Sequence, residues 1–478
     1  MAPRPIPWTL AEILEATCGQ QLGGVDAGSF TRVGIDSRAL DPDSLFVAIK
    51  GERHDGHDFI QEVIDQGCRG ILMAAQRQKD LPVSRWAKEG VTLVAVADTI
   101  RALGALAAFR RLQAGISLVA ITGSNGKTST RRMTAAVMGM RFGTLASSGN
   151  FNNEIGLPLT LLGLARDHSM AVVELGMNHP GEIARLTRIC NPQIGVITNV
   201  APAHLEGVQS LDGVRRAKGE LLHEMTPGGR AVLNADDPSL VRLGAATEHK
   251  VLWFGINAKA QVRATNIAAS PLGSRFTLHL PDGRVPIGLN LPGGFMMGNA
   301  LAAAGAGHLA GCTPDQIKAG LESVAPAPGR MVHVKTARGL EIVDDTYNAN
   351  PGSMAAAFET MAVLSPDHPW ILVCGDMLEL GQEAPLWHRR IGREAVERGA
   401  AAVYAHGPHS PQVARGAREA GLEAARVLTG DKADLVEALQ NHLKPPVWAL
   451  VKGSRGMAME TVVRELVQWA GGTVKQAE

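Results

Sequence analysis

Apolar residues fall along this chain in two alternating patterns: short, nearly unbroken apolar runs, and longer stretches in which apolar positions recur every three or four residues. The first pattern reads as strands buried on both faces and the second as helices laid against them. Near the N-terminus, "WTLAEILEAT" is helical, while "SLFVAIKG" and "GILMAA" are strand-like. Around them "GIDSRALDPDSLFVAIKGERHDGHDFI" is polar, glycine-punctuated and rich in turn formers. "DTIRALGALAAFRRLQ" reads as an amphipathic helix and opens a second block, with strand candidates "ISLVAITG", "MAVVELG" and "QIGVITNV" and helical segments such as "GEIARLTRI" between them. "AQVRATNIAASPLGSRFTLHLPDGRVPIGLNLPG" is a β excursion, after which "NALAAAGAGHLAG" returns to helix. Beyond the connector "VAPAPGR", the runs in "LEIVDDTYNANP", "PWILVCGDML", "AAVYAHG" and "PVWALVKGS" form a second doubly wound unit. The pattern predicts an α/β protein of three domains: a small N-terminal α/β domain over 1–97, a central parallel-sheet domain over 98–326, and a C-terminal Rossmann-like α/β domain over 327–478. Ligands of such sheets bind beyond the carboxyl ends of the strands, so the site is expected in the clefts where the domains face each other.

The length of 478 residues agrees with several domains rather than one core. A net charge of +1 provides no global field for nucleic acid or an anionic membrane, so anion binding must be local. The cysteines, Cys18, Cys68, Cys190, Cys312 and Cys374, are scattered without a C-x-x-C pair, which fits reduced thiols in a cytoplasmic protein. No stretch approaches the roughly 20 apolar residues that span a bilayer, and "MAPRPIPWTL" lacks the apolar run of a signal peptide.

Candidate chemistry begins at "AITGSNGKTSTRR". A glycine-rich turn between an apolar strand and a helix turns backbone N–H groups and a helix N-terminus toward an anion. Ile121 stands where the longer G-x-x-x-x-G-K pattern would need glycine, so Gly123 and Gly126 form G-x-x-G-K-T instead. Lys127 can reach terminal phosphates and the Thr128 hydroxyl can hold Mg²⁺, making this a P-loop-type ATPase domain.

Several other strand ends carry polar residues. Glu174 ends a strand that reads as buried; a lone carboxylate there needs a metal ion or a paired arginine. His204 follows another strand on the same sheet edge as Lys127 and Glu174, which favours a ligand over an ordinary core histidine. Lys218 stands at the start of a helical pattern, beside Arg215 and Arg216, which read as solvated. Arg330, at the junction before the third domain, can swing onto a γ-phosphate as domains close. Asp344, Asp345, Asn348 and Asn350 follow a strand, either as local Asx turns or as ribose ligands. Lys452, Ser454 and Arg455 suit a substrate carboxylate or else a surface turn.

In this order, "DSRALDPDSLFVAIKGERHDGHDF", "TGSNGKTST", "GNFNNEIGLPLTLL", "VVELGMNHPGEIARL", "TNVAPAHLEG", "AKGEL", "NADD", "PGRM", "DDTYNANPGSM", "GDMLELG" and "VKGSRGMAME" resemble the Mur ligase family over nearly the whole chain. These are the ATP-dependent enzymes that build the peptide of bacterial cell-wall precursors. The pattern is nearest the member that adds D-alanyl-D-alanine to UDP-N-acetylmuramoyl-tripeptide. Other ligases of the same mechanism, including folylpolyglutamate synthase, are alternatives; the "NANP" turn and the "DSR" and "KGERHDGHDF" stretches favour the first. A nucleotide-driven switch is the alternative of a different class.

The resemblance implies an ATP loop of Gly123, Ser124, Asn125, Gly126, Lys127, Thr128 and Ser129, with Thr128 on one Mg²⁺ and Glu174 and His204 on a second. It implies a CO₂-derived carbamate on Lys218, a γ-phosphate contact at Arg330, a ribose acid at Asp345 and an adenine contact at Asn299. Ser37 and Arg38 are implied at the uridine end of the first domain. Asn348, Asn350, Lys452, Ser454 and Arg455 are left for the rest of the substrates. A monomer without nucleic-acid or membrane partners is expected. One departure stands out: Phe295 and Met296 occupy positions where the family usually shows His and Asn, so an apolar wall is expected beside the base.

Overall fold

The computed structural model describes residues 4–23, 28–270, 273–366, 368–443 and 446–472, whose strands gather into three sheets. The first holds β1 (Gln20–Gly23), β2 (Arg32–Gly34), β3 (Ser44–Val47), β4 (Gly70–Ala74) and β5 (Thr92–Val96), in the order β1-β5-β4-β3-β2. Only β1 runs antiparallel to its neighbour. Every residue of β3, β4 and β5 is buried, which is why their sequences show unbroken apolar runs instead of alternation.

The second sheet comprises β6 (Ser117–Thr122), β7 (Thr144–Ala146), β8 (Met170–Glu174), β9 (Ile194–Ile197), β10 (Arg230–Asn234), β11 (Lys250–Gly255), β12 (Val262–Ser270), β13 (Gly273–Leu280) and β14 (Gly283–Leu289). Their order is β14-β13-β12-β11-β10-β9-β6-β8-β7. The strands from β7 to β12 across the sheet are parallel, and β13 and β14 extend it as antiparallel hairpins. Leu118 and Ala120 of β6 enter the core on one face, and Val119 and Ile121 enter the core on the other. Because β6 lies between β8 and β9, the chain leaves it toward one side and later returns on the other. That reversal opens a crevice at the carboxyl end of β6, where the glycine-rich turn sits.

The third sheet holds β15 (Val332–Lys335), β16 (Leu340–Asp345), β17 (Trp370–Cys374), β18 (Ala400–Ala405), β19 (Val427–Thr429) and β20 (Val447–Lys452), in the order β15-β16-β20-β17-β18-β19. All pairs but β15–β16 are parallel. One apolar core runs on from the second sheet into this domain, joining Val200 and Leu205 to Met331, Met354, Phe358 and Met377.

The helix Thr99–Ala114 departs from the amphipathic expectation. Ala102, Leu103 and Leu106 enter the core of the first domain while Ala107 enters that of the second, so apolar residues are needed on more than one side. Two of its arginines are buried as well. The Arg110 guanidinium lies 3.9 Å over the Trp8 ring and donates to Gln113 and to the carbonyl of Pro7; burial lowers its pKa to about 10. Arg111 donates to the carbonyl of Asn191, 2.6 Å away. The helix is therefore the strut between the first two domains.

Trp8 is 2% exposed. Trp8→Ala is expected to cost about 3–5 kcal/mol through cavity formation and loss of the cover over Arg110. Urea unfolding checks this, and an unshifted first transition would contradict it.

Candidate active site

The turn after β6 is shaped by two close approaches. Gly123 has φ +148°, and a Cβ there would overlap Thr198 Oγ1; Gly126 has φ +80°, and a Cβ there would overlap Asn299 Oδ1. Glycine is needed at each on both grounds. Ile121, by contrast, is a buried residue within β6 paired with Glu174, so the shorter glycine spacing follows from where the strand ends. Asn199 and Thr198 brace the turn: Asn125 N–H donates to Asn199 Oδ1, and Asn125 O accepts from Thr198 Oγ1 and Asn199 Nδ2. Ser124 Oγ donates to Ala201 O at 2.9 Å. Lys127 begins the helix Lys127–Gly139 and folds back, its Nζ donating to Gly123 O at 2.8 Å and Ser124 O at 3.3 Å. Burial lowers its pKa, with Glu174 opposing.

Glu174, 3% exposed, is the carboxylate at the centre. Thr128 Oγ1 donates to it at 2.8 Å and Asn152 Nδ2 at 2.9 Å. Arg131 lies 3.7 Å away with its Nε unpartnered, its guanidinium donating to the carbonyl of Ser147 instead. Arg330 reaches in from beyond the second sheet, donating from Nη2 to Thr128 Oγ1 at 2.9 Å while stacking 3.9 Å over the Tyr347 ring. Cations therefore outnumber carboxylates here, a surplus that an anionic ligand offsets.

Lys218 lies mid-way along the helix Leu211–Glu224, not at its start. It is fully buried and its Nζ has no hydrogen-bond partner. Desolvation, with repulsion from Lys127 second, pushes its pKa well down, which favours the neutral amine. Arg215 and Arg216 pair with Asp212, and Arg216 is exposed, in line with a solvated pair. His204 sits at the cavity wall with its Nδ1 2.6 Å from Glu379 Oε2, and burial lowers its pKa.

A cavity of about 840 Å³ lies between the second and third sheets and brings most of the expected residues together. Ser124, Asn125, Gly126, Lys127, Thr128, Ser129, Glu174, His204 and Asn299 line it from one side. Arg330, Asp345, Asn348, Asn350, Lys452, Ser454 and Arg455 line it from the other. Gly123 and Lys218 lie behind this wall. Asn350 Nδ2 donates to Asn125 Oδ1 at 2.8 Å while its own Oδ1 caps the helix Pro351–Leu364. Lys452 Nζ holds Asp345 Oδ2 at 2.5 Å and the Asn348 carbonyl at 2.8 Å, so two residues expected in separate roles form one ion pair. Ser454 Oγ donates to Ala349 O and accepts from Leu378 N–H. Arg455 is exposed and pairs with Glu460. Asp344 turns away from the cavity toward Thr346, and burial raises its pKa.

Ser37 and Arg38 are not brought to this cavity. The Arg38 side chain is 82% exposed and pairs with Asp36. Phe295 and Met296 do line the cavity, and the Met296 sulfur receives Asn299 Nδ2 at 3.7 Å. Asn152 and Glu379 had no assigned role in the sequence, although "GNFNNEIG" and "GDMLELG" carried them. Among the described residues no three His, Cys, Asp or Glu side chains converge as a metal cluster. An ion here would draw on Thr128 and Glu174, which already touch at 2.8 Å, and on His204.

Fold and site together define a phosphate-loop α/β enzyme with its cavity between two parallel sheets. More particularly, the chain belongs to the Mur ligase family. Family models match residues 29–111 (Mur ligase family, catalytic domain), 121–307 (Mur ligase middle domain) and 329–455 (Mur ligase, glutamate ligase domain). The UDP-N-acetylmuramoyl-tripeptide--D-alanyl-D-alanine ligase of Escherichia coli (strain K12) is 39% identical over 96% of this chain and 98% of its own length. A crystal structure of MurF from Acinetobacter baumannii superposes with a TM-score of 0.88 at 32% identity, covering 97% of this chain and 99% of that one. MurF ligase from Thermotoga maritima, solved in complex with ADP, gives a TM-score of 0.80 at 26% identity, covering 92% and 97%.

Between the lowered pKa of Lys218 and about 10.4, the unfolded chain binds a proton that the folded chain does not. Stability therefore rises with pH across that window. Lys218→Met in CO₂-free buffer is expected to flatten this rise and to be more stable than the native chain at neutral pH. Urea midpoints from pH 7 to 10 measure it; a less stable variant at pH 7 would count against a neutral buried amine.

Proposed function

We propose that this protein is the ATP-dependent ligase that joins D-alanyl-D-alanine to UDP-N-acetylmuramoyl-tripeptide, completing the pentapeptide precursor of peptidoglycan in the bacterial cytoplasm. The observation that carries the reading is the surplus of cations around the buried Glu174 in a cavity fed from two domains. A carboxylate at neutral pH is no electrophile. An oxygen of the tripeptide carboxylate attacks the γ-phosphorus of ATP, ADP leaves, and an acyl phosphate remains. The D-alanyl-D-alanine amine attacks its carbonyl, loses a proton, and inorganic phosphate departs as the amide forms. Both anions must be held together in the first step, so positioning and charge stabilisation dominate.

Lys127 is placed to release its loop carbonyls for phosphate oxygens, and Arg330 to move from Thr128 onto the γ-phosphate. The unpartnered neutral amine of Lys218 suits addition of CO₂, giving an anionic carbamate and a proton. Thr128, Glu174, His204 and that carbamate would supply oxygen donors and one imidazole, the chemistry that suits two Mg²⁺ ions. Bound Mg²⁺ would neutralise the repulsion between the two anions. Asn299, with Phe295 and Met296 as an apolar wall, would hold adenine. Asp345 would reach ribose once Lys452 turns to a substrate carboxylate beside Asn348, Asn350, Ser454 and Arg455. Ser37 and Arg38 would serve the uridine end.

The domains are assigned as 1–97 for the UDP-linked substrate, 98–326 for ATP and 327–478 as the Rossmann-like lid, in a monomer. Among the described residues no helix is long and apolar enough to cross a membrane.

Phosphate release is expected only when ATP, the UDP-linked tripeptide and D-alanyl-D-alanine are all present, with an amide product of matching mass. Release at the same pace without acceptors would point to a nucleotide-driven switch. Lys218→Ala is expected to lower kcat by about 100-fold or more, and Lys218→Cys to regain activity with a short carboxylic acid; an alanine variant of full activity would remove the carbamate.

A further inference from the structure

We infer that Glu379 is a positioning residue for His204, fixing which ring nitrogen faces the cavity, and that it does so only when the third domain sits against the second. The inference rests on the reading of His204 as a metal ligand.

Glu379 lies on the loop after β17, in the stretch "GDMLELG". Two ties run from it to the second domain. Its Oε2 meets His204 Nδ1 at 2.6 Å, and its carbonyl accepts from Glu206 N–H at 3.2 Å. A carboxylate oxygen 2.6 Å from a ring nitrogen accepts a hydrogen bond from it. Nδ1 must then carry the proton, and Nε2 of the neutral ring keeps its lone pair. This is the arrangement in which a carboxylate orients an imidazole for a metal.

The backbone holds the pair in place. His204 has φ +55° and Glu379 φ +64°, left-handed conformations that side chains other than glycine adopt at a cost of about 1–3 kcal/mol each. Such conformations persist where the surroundings over-determine them, and the loop is pinned at the two residues just before Glu379. The buried His388 accepts Met377 N–H at Nε2 (2.9 Å) and contacts Ala384 O through Nδ1 (2.7 Å). Leu378 N–H donates to Ser454 Oγ at 2.9 Å. The carboxylate thus rides on a braced loop of one domain and grips a histidine of the other. When the domains part, His204 loses the partner that selects its tautomer, so the donor set is completed by domain approach.

The test uses ¹⁵N-histidine-labelled full-length protein, with His204 assigned by its loss in His204→Ala. Two-bond ¹H–¹⁵N spectra are expected to show the Nδ1–H tautomer in the native chain and in Glu379→Gln, whose amide oxygen still accepts. Glu379→Ala is expected to shift toward Nε2–H. Mn²⁺ titrated into protein loaded with a non-hydrolysable ATP analogue, followed by electron paramagnetic resonance, is expected to bind about 10–100-fold more weakly in Glu379→Ala. Glu379→Gln should recover most of that loss, and Glu379→Ala should add little to His204→Ala. If His204→Ala leaves Mn²⁺ affinity unchanged, His204 is no ligand and the underlying reading falls. If His204→Ala weakens Mn²⁺ while Glu379→Ala changes neither affinity nor tautomer, the role of Glu379 is overturned.

Discussion

A surplus of positive charge around the buried Glu174 governs this structure. Lys127, Arg131 and Arg330 approach one carboxylate, with the amine of Lys218 buried behind them, and burial lowers the pKa of Lys127, Arg131 and Lys218. Each makes do with a weak partner. Lys127 donates to carbonyls of its own loop, Arg131 to a carbonyl of Ser147, Arg330 to a hydroxyl, and Lys218 to nothing. Desolvated cations without counter-ions are costly. An anionic ligand relieves that cost, so the stored imbalance becomes affinity for phosphate and carboxylate. The two glycines of the turn serve the same end by bringing backbone close to Thr198 and Asn299.

The third sheet gives this charge its chemistry. Asn350 on Asn125, Arg330 on Thr128 and Glu379 on His204 each tie a side chain of the third domain to the phosphate-loop edge of the second. Beneath them the apolar core is continuous. Transfer of phosphate to a carboxylate in place of water requires a site that closes around both reactants. A wall contributed by a separate domain can exclude water when it approaches and admit substrates when it withdraws. The ion pair of Lys452 with Asp345 neutralises two charged groups of the cavity wall.

Phe295 and Met296 give Asn299 an apolar surround. Asn299 keeps its place against Gly126 and turns its amide toward the Met296 sulfur, a weak acceptor. The close approach of Gly126 holds it in place within an apolar surround.

Much of this was legible in the chain because its causes are local. Strands buried on both faces are apolar without a break, so β3, β4, β6, β8, β17 and β20 announce themselves, and Gly123, Gly126 and Lys127 mark a phosphate turn by conformation and charge. β1 and β2 were silent because they are short: β1 is polar and exposed to half-buried, and β2 carries a single apolar side chain, Val33. The helix Thr99–Ala114 misled because it is shared between two cores and buries arginines, which periodicity counts as solvent-facing. Ser37 and Arg38 carried a motif but lie away from the cavity. Glu379 and His204 meet across 175 residues, and Asn350 and Asn125 across 225. Residue order alone thus determined which segments become strand, helix and phosphate turn, since periodicity and backbone freedom act over a few neighbours. Which carboxylate meets which histidine, and which lysine is left without a partner, was decided only when the sheets came to face one another, because desolvation and hydrogen bonding depend on that geometry.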